Sequence, residues 1–267
     1  MDYTIEDISV PQNGKVIVVG DIHGQFESTL TIFEDFGYPS ENLIYVFNGD
    51  IVDRGNKSLE CLLMVYAYKI ALPFSFYVTR GNHESRSVAK TTFFNECQDR
   101  LTDYPEAFED FQDSFDMLPY GHVIRKHFFV THGGLCPGME VKSLRSLPRS
   151  HFTYKNDYTL YSMLWNDPAD PREKFNEFYL APSPRGDVCR RFHPYVTFDF
   201  LKRNKLEMLV RSHELVDQGA LLCHDDRCLT IFSAPNYRQR GNRGAVLVIT
   251  EDSYTIERMR EANIFNK

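Results

Sequence analysis

The chain has no uninterrupted apolar run long enough to cross a membrane and no excess of positive charge. Its most apolar stretch, residues 59–72, is interrupted by Lys69 and stopped by Pro73, short of the roughly 20 residues a bilayer requires. No charged-then-apolar secretory leader opens it. The expectation is a soluble intracellular protein, cytoplasmic first and nuclear second, with no membrane partner. A formal net charge of −7 argues against a general nucleic-acid binder. Attraction of an anionic substrate therefore has to come from positive charge placed locally in a site. There are six cysteines, but no second pair joins Cys223 and Cys228 to complete a zinc site. The thiols are expected to be reduced, and His224-Asp225-Asp226-Arg227 reads as a hairpin turn. Internal repeats, low-complexity tracts and linkers are lacking too. With 267 residues and 42% hydrophobic content, a full core is affordable and global disorder is excluded. The reading is a polar lead-in over 1–14 and a single domain over 15–267.

What is present is a repeated pattern. Lys15-Val16-Ile17-Val18-Val19 is a β-branched run that ends in Gly20-Asp21-Ile22-His23-Gly24. Asp21 and His23 are two apart, so on an extended backbone a carboxylate and an imidazole point to one side. Alone, such a pair is more often a turn residue and a surface histidine. The pattern then recurs four times. Residues 43–47 run into Asn48-Gly49-Asp50, followed by Asp53-Arg54-Gly55. Residues 74–78 run into Gly81-Asn82-His83-Glu84. Residues 127–131 run into His132-Gly133-Gly134, and residues 206–210 into Arg211-Ser212-His213-Glu214. Each apolar strand delivers a metal-ligand residue type at its carboxyl end, the edge where α/β sheets bind ligands.

Helices are expected between these strands. Gln25–Phe36 has helical spacing and stops at Gly37; Ser58 is a good N-cap for a helix through Ile70. Residues 91–117 read as two helices broken near Pro105, with Phe93, Phe94, Phe108, Phe111 and Phe115 as a core stripe. A hairpin is expected around Arg125-Lys126, a loop-rich stretch over 133–157, a helix over Tyr158–Leu164, a surface loop over 166–187 and a helix over 194–203. Strands follow near 206–211, 216–223, 228–233 and 244–260, the last long enough to divide in two. The class is α/β, with a second sheet packed on the first.

Asp21, His23, Asp50, Asn82, His132 and His213 are too many ligands for one tetrahedral ion and fit two adjacent ions, which a carboxylate can bridge. A water bridging two such cations loses its proton near neutral pH and becomes a nucleophile for phosphorus. Arg54 and Arg185 are suited to bidentate phosphate contacts. His83 flanks the ligand Asn82, and Asp53 is placed to orient its ring, so His83 is a candidate general acid for a leaving alkoxide. Blander readings exist for each: a structural ion pair for Arg54, a structural or directly ligating histidine for His83, a helix cap for Asp53. The five strand ends taken together favour the functional ones.

Gly20-Asp21-Ile22-His23-Gly24, Gly49-Asp50-Ile51-Val52-Asp53-Arg54-Gly55, Gly81-Asn82-His83-Glu84, His132-Gly133-Gly134 and Ser233-Ala234-Pro235-Asn236-Tyr237 resemble the signature motifs of the phosphoprotein phosphatase (PPP) family. The resemblance runs from about residue 15 to the end, with matching order and spacing. It implies a calcineurin-like metallophosphoesterase fold, a β-sandwich of two mixed sheets flanked by helices. It implies two divalent ions (Mn, Fe or Zn), one held by Asp21, His23 and Asp50 and the other by Asp50, Asn82, His132 and His213. Arg54, Arg185 and Asn82 are then expected to hold phosphate, His83 with Asp53 to donate the proton, and Tyr237 to overhang the site beside Trp165. The implied activity is hydrolysis of phosphoserine and phosphothreonine in proteins by a metal-bridging hydroxide, with phosphoprotein substrates and regulatory subunits as partners. The rival within enzymes is a metallophosphoesterase acting on a small phosphoanhydride such as a dinucleotide polyphosphate. Relatives of that kind usually lack the Ser-Ala-Pro-Asn-Tyr segment. From another class, a pseudoenzyme keeping only the fold is opposed by the complete ligand set.

The closest likeness within that family is to catalytic domains that elsewhere carry tetratricopeptide repeats or EF-hands, neither of which this sequence contains. It departs from the pattern in three ways. Only about a dozen residues precede the first motif, Arg238 stands where a cysteine usually follows the tyrosine, and the stretch after Arg185-Gly186 is one residue longer, with His193 where glycine is common.

Overall fold

The computed structural model describes residues 4–149 and 156–260. Two mixed sheets face each other. The first has the strand order β1 (Ile5–Ile8), β5 (Gly121–Ile124), β6 (Phe128–Thr131), β10 (Met208–Arg211), β12 (Cys228–Ile231), β11 (Ala220–Cys223). The second runs β14 (Tyr254–Arg258), β13 (Ala245–Ile249), β2 (Lys15–Val19), β3 (Leu43–Phe47), β4 (Phe76–Val78). Within the second sheet β2, β3 and β4 are parallel and β13 is antiparallel to β2; in the first, β6, β10 and β12 are parallel.

Strand alternation explains the layering. Val16, Val18, Ile44 and Val46 point inward to Phe128, Val130, Met208, Val210, Leu229 and Ile231 of the opposing sheet. The intervening Ile17, Val19, Tyr45 and Phe47 point outward to a cluster with Ile32, Phe33, Leu62, Val65, Phe93, Phe108 and Phe115. Those residues come from α1 (Phe26–Phe36), α2 (Ser58–Ala71), α3 (Thr92–Arg100) and α4 (Ala107–Asp116). The first sheet is covered on its outer face by α5 (Val141–Leu144), α6 (Tyr158–Trp165) and α7 (Pro194–Asn204). Central strands buried on both faces read as continuous β-branched and aromatic runs, which is why they were legible.

The α/β class and the sandwich of two mixed sheets are as expected. Four local expectations are corrected. The lead-in over 1–14 contains strand β1, whose Ile5 and Ile8 are buried and which pairs in parallel with β5; residues 1–3 lie outside the described residues. Ser58 begins α2 without capping it by its side chain. Its backbone N–H and that of Leu59 donate instead to the Glu96 carboxylate, at 3.0 and 3.1 Å. The surface loop over 166–187 contributes to a third sheet, β7 (Asp167–Pro168), β9 (Gly186–Phe192) and β8 (Leu180–Ser183). Its polar composition concealed strands that expose one side. Phe94 is 36% exposed, unlike the buried Phe93, Phe108 and Phe115. Part of the loop-rich stretch, 150–155, lies outside the described residues.

The hairpins fall where turn chemistry places them. Arg125 and Lys126 take the left-handed φ values of 55° and 58° in the three-residue connection between β5 and β6, where the His127 N–H donates to the Ile124 carbonyl at 3.0 Å. Cys223 and Cys228 stand opposite each other across the β11–β12 turn. His224, Cys223 and Cys228 are close enough to share an ion, but both His224 nitrogens are engaged. Nδ1 accepts from Thr197 Oγ1 at 2.8 Å and Nε2 donates to the Ala169 carbonyl at 3.0 Å. All six cysteines are free.

Candidate dinuclear metal centre

The two sheets converge at the carboxyl ends of β2, β3, β4, β6 and β10. Asp21 forms an isolated parallel bridge with Phe232, just past β12. A Cβ placed on Gly20 would lie 2.1 Å from the Ile231 carbonyl, so only glycine permits this approach. Residues from both sheets then share one cleft of about 330 Å³, lined by Asp21, His23, Asp50, Asn82, His83 and His213. Arg54, Arg185, Trp165, Tyr237 and Arg238 also line it.

Backbone carbonyls orient the histidines. His23 Nδ1 lies 3.0 Å from the Val52 carbonyl, and His132 Nδ1 lies 2.9 Å from that of Asn48. A carbonyl only accepts, so in each ring the proton sits on Nδ1 and Nε2 turns a lone pair inward. Such an outer hydrogen bond is what fixes a metal-binding imidazole. His23 Nε2 is 3.5 Å from Asp50 Oδ2 and 3.7 Å from Asp21 Oδ2. His132 Nε2 is 2.9 Å from Asn82 Oδ1, 3.2 Å from His213 Nδ1 and 3.3 Å from Asp50 Oδ1.

These inward atoms are acceptors crowded against acceptors, an arrangement that demands positive charge between them. Asp50, His132 and His213 bring ligand atoms within 4.8 Å of one another, and so do His23, Asp50 and His83. Asp50 belongs to both groups. The donor set of carboxylate, imidazole and amide oxygen fits divalent first-row ions. The protonation balance carries the same signature. Burial and then the Asp50 carboxylate push Asp21 up to about 7. Burial holds His23 down at about 4. Burial opposes a proton on His132, yet Asp50 and then Asp21 raise it to about 9.

His83 is set differently. Its Nδ1 is 2.7 Å from Asp53 Oδ2, while its Nε2 faces the cleft, 3.9 Å from Asp50 Oδ2. Asp53 is fully buried, and its other oxygen accepts from Thr92 Oγ1 at 2.6 Å and the Phe93 N–H at 2.8 Å. Burial disfavours the charged imidazole, but Asp50 and Asp53 together lift His83 above the usual histidine range. The ring can therefore carry a proton into the cleft.

Two groups approach the centre from above. Arg185 Nη2 donates to the His213 carbonyl at 3.0 Å, and its Nε pairs with Asp167 Oδ2 at 2.6 Å. Arg190 and Arg191 do not line the cleft: Arg190 donates to the Asp187 and Cys189 carbonyls, and Arg191 pairs with Glu173. Tyr237 stacks on His23 with centroids 5.1 Å apart, and Trp165 meets His213 edge-on at 5.7 Å. All eleven residues singled out in the sequence as catalytic, substrate-binding or metal-binding thus meet at one place.

Two supporting residues escaped sequence reading. Glu84 is buried and accepts from the backbone N–H groups of Asp50, Ile51 and Gly81 at 2.7, 2.9 and 3.0 Å. Its signal was an acidic residue directly after Asn82-His83. Asp167, 3% exposed, divides its carboxylate between Arg185 and Arg211, with Arg211 Nη2 donating at 2.7 Å. It sits in Trp165-Asn166-Asp167-Pro168, a stretch that resembles the family's Trp-Ser-Asp-Pro but whose carboxylate was given no role. These anchors hold a strained edge: His23, Asp50, Asp53, Arg54 and His213 all have positive φ, between 44° and 74°. For residues other than glycine such conformations each cost on the order of 1 kcal/mol and collect at functional sites.

A carboxylate shared between two ligand groups, histidines turned inward by carbonyls and arginines above them make this a metallophosphoesterase site on a β-sandwich. The chain belongs to the calcineurin-like phosphoesterases, whose family model matches residues 14–217. Within that family it is 42% identical over 249 residues to serine/threonine-protein phosphatase 5 of Arabidopsis thaliana, covering 91% of this chain and 44% of that one. It is 39% identical over 253 residues to serine/threonine-protein phosphatase T of Trypanosoma brucei brucei, covering 91% and 50%. Among solved structures it superposes with a TM-score of 0.88 on a protein serine/threonine phosphatase from Saccharomyces cerevisiae with similarity to human phosphatase PP5. Identity there is 32%, over 99% of this chain and 86% of that one. The chain spans about half the length of the curated relatives it matches.

Proposed function

We propose that this chain is a serine/threonine protein phosphatase, hydrolysing phosphoserine and phosphothreonine in proteins from a single catalytic domain that includes strand β1. The observation that carries the reading is the convergence of acceptor atoms from both sheets beneath Arg54 and Arg185, with His83 facing the same cleft. The names of the relatives favour a protein substrate over a small phosphoanhydride. Asp21, His23 and Asp50 would hold one divalent ion, and Asp50, Asn82, His132 and His213 the other. When bound, the pair supplies Lewis acidity toward the phosphoryl oxygens and a water deprotonated near neutral pH.

The chain's own residues do the rest. Arg54 and Arg185 orient the phosphoryl group, with the Asn82 amide assisting, and neutralise charge that grows in the transition state. Asp53 holds His83 Nδ1–H, leaving Nε2–H to protonate the departing alkoxide of serine or threonine. Tyr237, stacked on His23, closes one wall. Among the described residues no helix is long and apolar enough to cross a membrane; we place the protein in the cytoplasm, or the nucleus, with phosphoproteins and regulatory subunits as partners.

The test is a side-by-side assay of the purified chain, loaded with manganese, iron or zinc in turn, on a phosphoserine peptide and a dinucleotide tetraphosphate. Faster release of phosphate from the peptide is expected. Turnover of the dinucleotide alone would establish the rival, and metal binding without turnover of either would point to a pseudoenzyme.

A further inference from the structure

The cleft contains one guanidinium more than a phosphate group needs. Arg54, Arg185 and Arg238 all line it. Arg185 is held by Asp167 and the His213 carbonyl. Arg54 and Arg238, both exposed, make no hydrogen bond or ion pair through their guanidinium groups among the described residues. Both guanidiniums therefore stand at the cleft with no protein acceptor of their own among the described residues. An anion entering the mouth would supply one.

Arg238 is also carried on a built loop. Asn236, Arg238 and Gln239 all adopt left-handed conformations, with φ of 47°, 50° and 62°. Three such residues in four positions are strained, and buried Asn242 holds them there. Its side-chain oxygen accepts from the Tyr237 N–H at 2.7 Å, its amide donates to the Ala234 carbonyl at 2.8 Å, and its backbone carbonyl accepts from the Asn236 N–H at 2.8 Å. This clamp fixes Tyr237 over His23 and brings Arg238 to the cleft beside it. Tyr237, Arg54 and Arg238 line the same cleft. From Ser233 to Gly244 the loop has three arginines and no carboxylate, in a chain whose net charge is −7. Of these three arginines, Arg238 is the one that lines the cleft.

We infer that Arg238 is a specificity-determining residue that receives an anionic group flanking the phosphoresidue, so that the preferred substrates are acidic phosphopeptides. This rests on the protein phosphatase reading above. The flanking anion is the carboxylate of Asp or Glu or a second phosphoryl group. Both match a guanidinium fork, and the reacting phosphate remains with Arg54 and Arg185.

The experiment compares kcat/KM of the metal-loaded chain on three phosphoserine peptides of equal length. They differ at the neighbouring position, which is glutamine, glutamate or a second phosphoserine. The same set is run on Arg238→Ala, Arg238→Lys and Arg240→Ala. The wild type should favour an anionic peptide by roughly fivefold at low salt, the upper range of an exposed ion pair, with the difference mainly in KM. Adding salt should shrink it. The preference should vanish in Arg238→Ala, survive in part in Arg238→Lys and persist in Arg240→Ala, which removes equal charge from the same loop away from the cleft. A preference for glutamate alone identifies a carboxylate subsite, and one for phosphoserine alone a second phosphate subsite. Equal rates on all three peptides in the wild type would overturn the inference while leaving the phosphatase reading standing. So would a preference that survives in Arg238→Ala, or one lost equally in Arg240→Ala. No turnover of any phosphopeptide, with the dinucleotide hydrolysed, would remove both readings.

Discussion

Asp167→Asn isolates the support beneath the phosphate-binding face. The native carboxylate serves two cations: Oδ1 accepts from Arg211 Nη2 at 2.7 Å and Oδ2 from Arg185 Nε at 2.6 Å. An asparagine has the same shape but one acceptor, so its NH₂ must point at one of the two guanidiniums. Arg211 is completely buried. It keeps Glu214 at 2.8 Å and the Gly133 carbonyl at 2.9 Å, so its charge is not stranded. Removing one partner of a buried ion pair costs about 3–5 kcal/mol, and the remaining contacts place this variant near the lower figure, about 3 kcal/mol. Arg185 is less buried, with a side-chain exposure of 31%, and its loss is one of orientation. A guanidinium freed from Asp167 still reaches the cleft but spends little time aligned, which should lower kcat/KM by roughly 10- to 100-fold.

The assays are urea unfolding of the metal-loaded chain and steady-state hydrolysis of a phosphoserine peptide. The decisive comparison is a cycle with Arg185→Ala. If Asp167 acts on turnover through Arg185, the double variant should be no slower than Arg185→Ala alone, because both changes remove the same function. Stability should separate from activity: Arg185→Ala should leave the urea midpoint nearly unchanged, while Asp167→Asn shifts it. Losses in kcat/KM that simply add in the double variant, or a normal kcat/KM in Asp167→Asn, would refute the fork.

Other changes probe the rest of the centre. Asp50→Asn should lower bound metal below two ions per chain and abolish turnover, since an amide cannot bridge two cations; elemental analysis of the dialysed variant checks this, and full occupancy would exclude the bridge. His83→Asn should retain both ions but slow phosphoserine hydrolysis by roughly 10²- to 10⁴-fold, with a smaller loss on an aryl phosphate whose phenolate leaves unaided; equal losses would count against a general acid. Arg190→Ala and Arg191→Ala should keep near-normal kcat/KM, because their guanidiniums bind Asp187, Cys189 and Glu173 away from the cleft. His122, fully buried with its imidazole held down at about 4 by desolvation, predicts a pH slope. A depressed pKa favours the neutral ring in the folded state, so its contribution is complete above the unfolded value near 6.5 and is lost as pH falls toward 4. Between pH 7 and 5.5 it should amount to about 1 kcal/mol; an unchanged difference in stability between wild type and His122→Asn over that interval, metals saturating, would contradict it.

What was readable in the sequence, and what was not, divides along a physical line. Ligands at strand ends were legible because a buried strand has a strong pattern and its first polar residue marks the sheet edge. His132 and His213 were found this way although 81 residues separate them. Arg185 was read from its place beside Gly186, and it lines the cleft; the strand that follows, β9, pairs with β8 with a register shift between Pro182 and Ser183. Strand β1 and the third sheet were missed because their strands alternate polar and apolar residues weakly, and β1 finds its partner only in the distant β5. Glu84 and Asp167 were missed for a related reason. Each matters through what it holds, and a carboxylate that satisfies backbone N–H groups or buried arginines looks like any surface acid until the chain has folded around it.

The placement of the centre also explains why the sandwich is built so stiffly. Asp21, Asp50 and Asn82 extend from one sheet, His132 and His213 from the other, and hydrogen bonds tie the two edges. They include Asn48 Nδ2 to the Thr131 carbonyl at 2.8 Å, the Ser233 N–H to the Asp21 carbonyl at 3.1 Å and the His213 N–H to Asp21 Oδ1 at 3.1 Å. Left to themselves, the converging acceptors would push the sheets apart. The opposing force comes from the shared apolar layer behind them, where Val16, Val18, Val46, Val130, Val210 and Ile231 are essentially without solvent exposure. β-branched residues have few rotamers, so that layer resists repacking, and left-handed residues collect at the rim. A softer core would let the acceptors separate and would hold the same residues without holding the site.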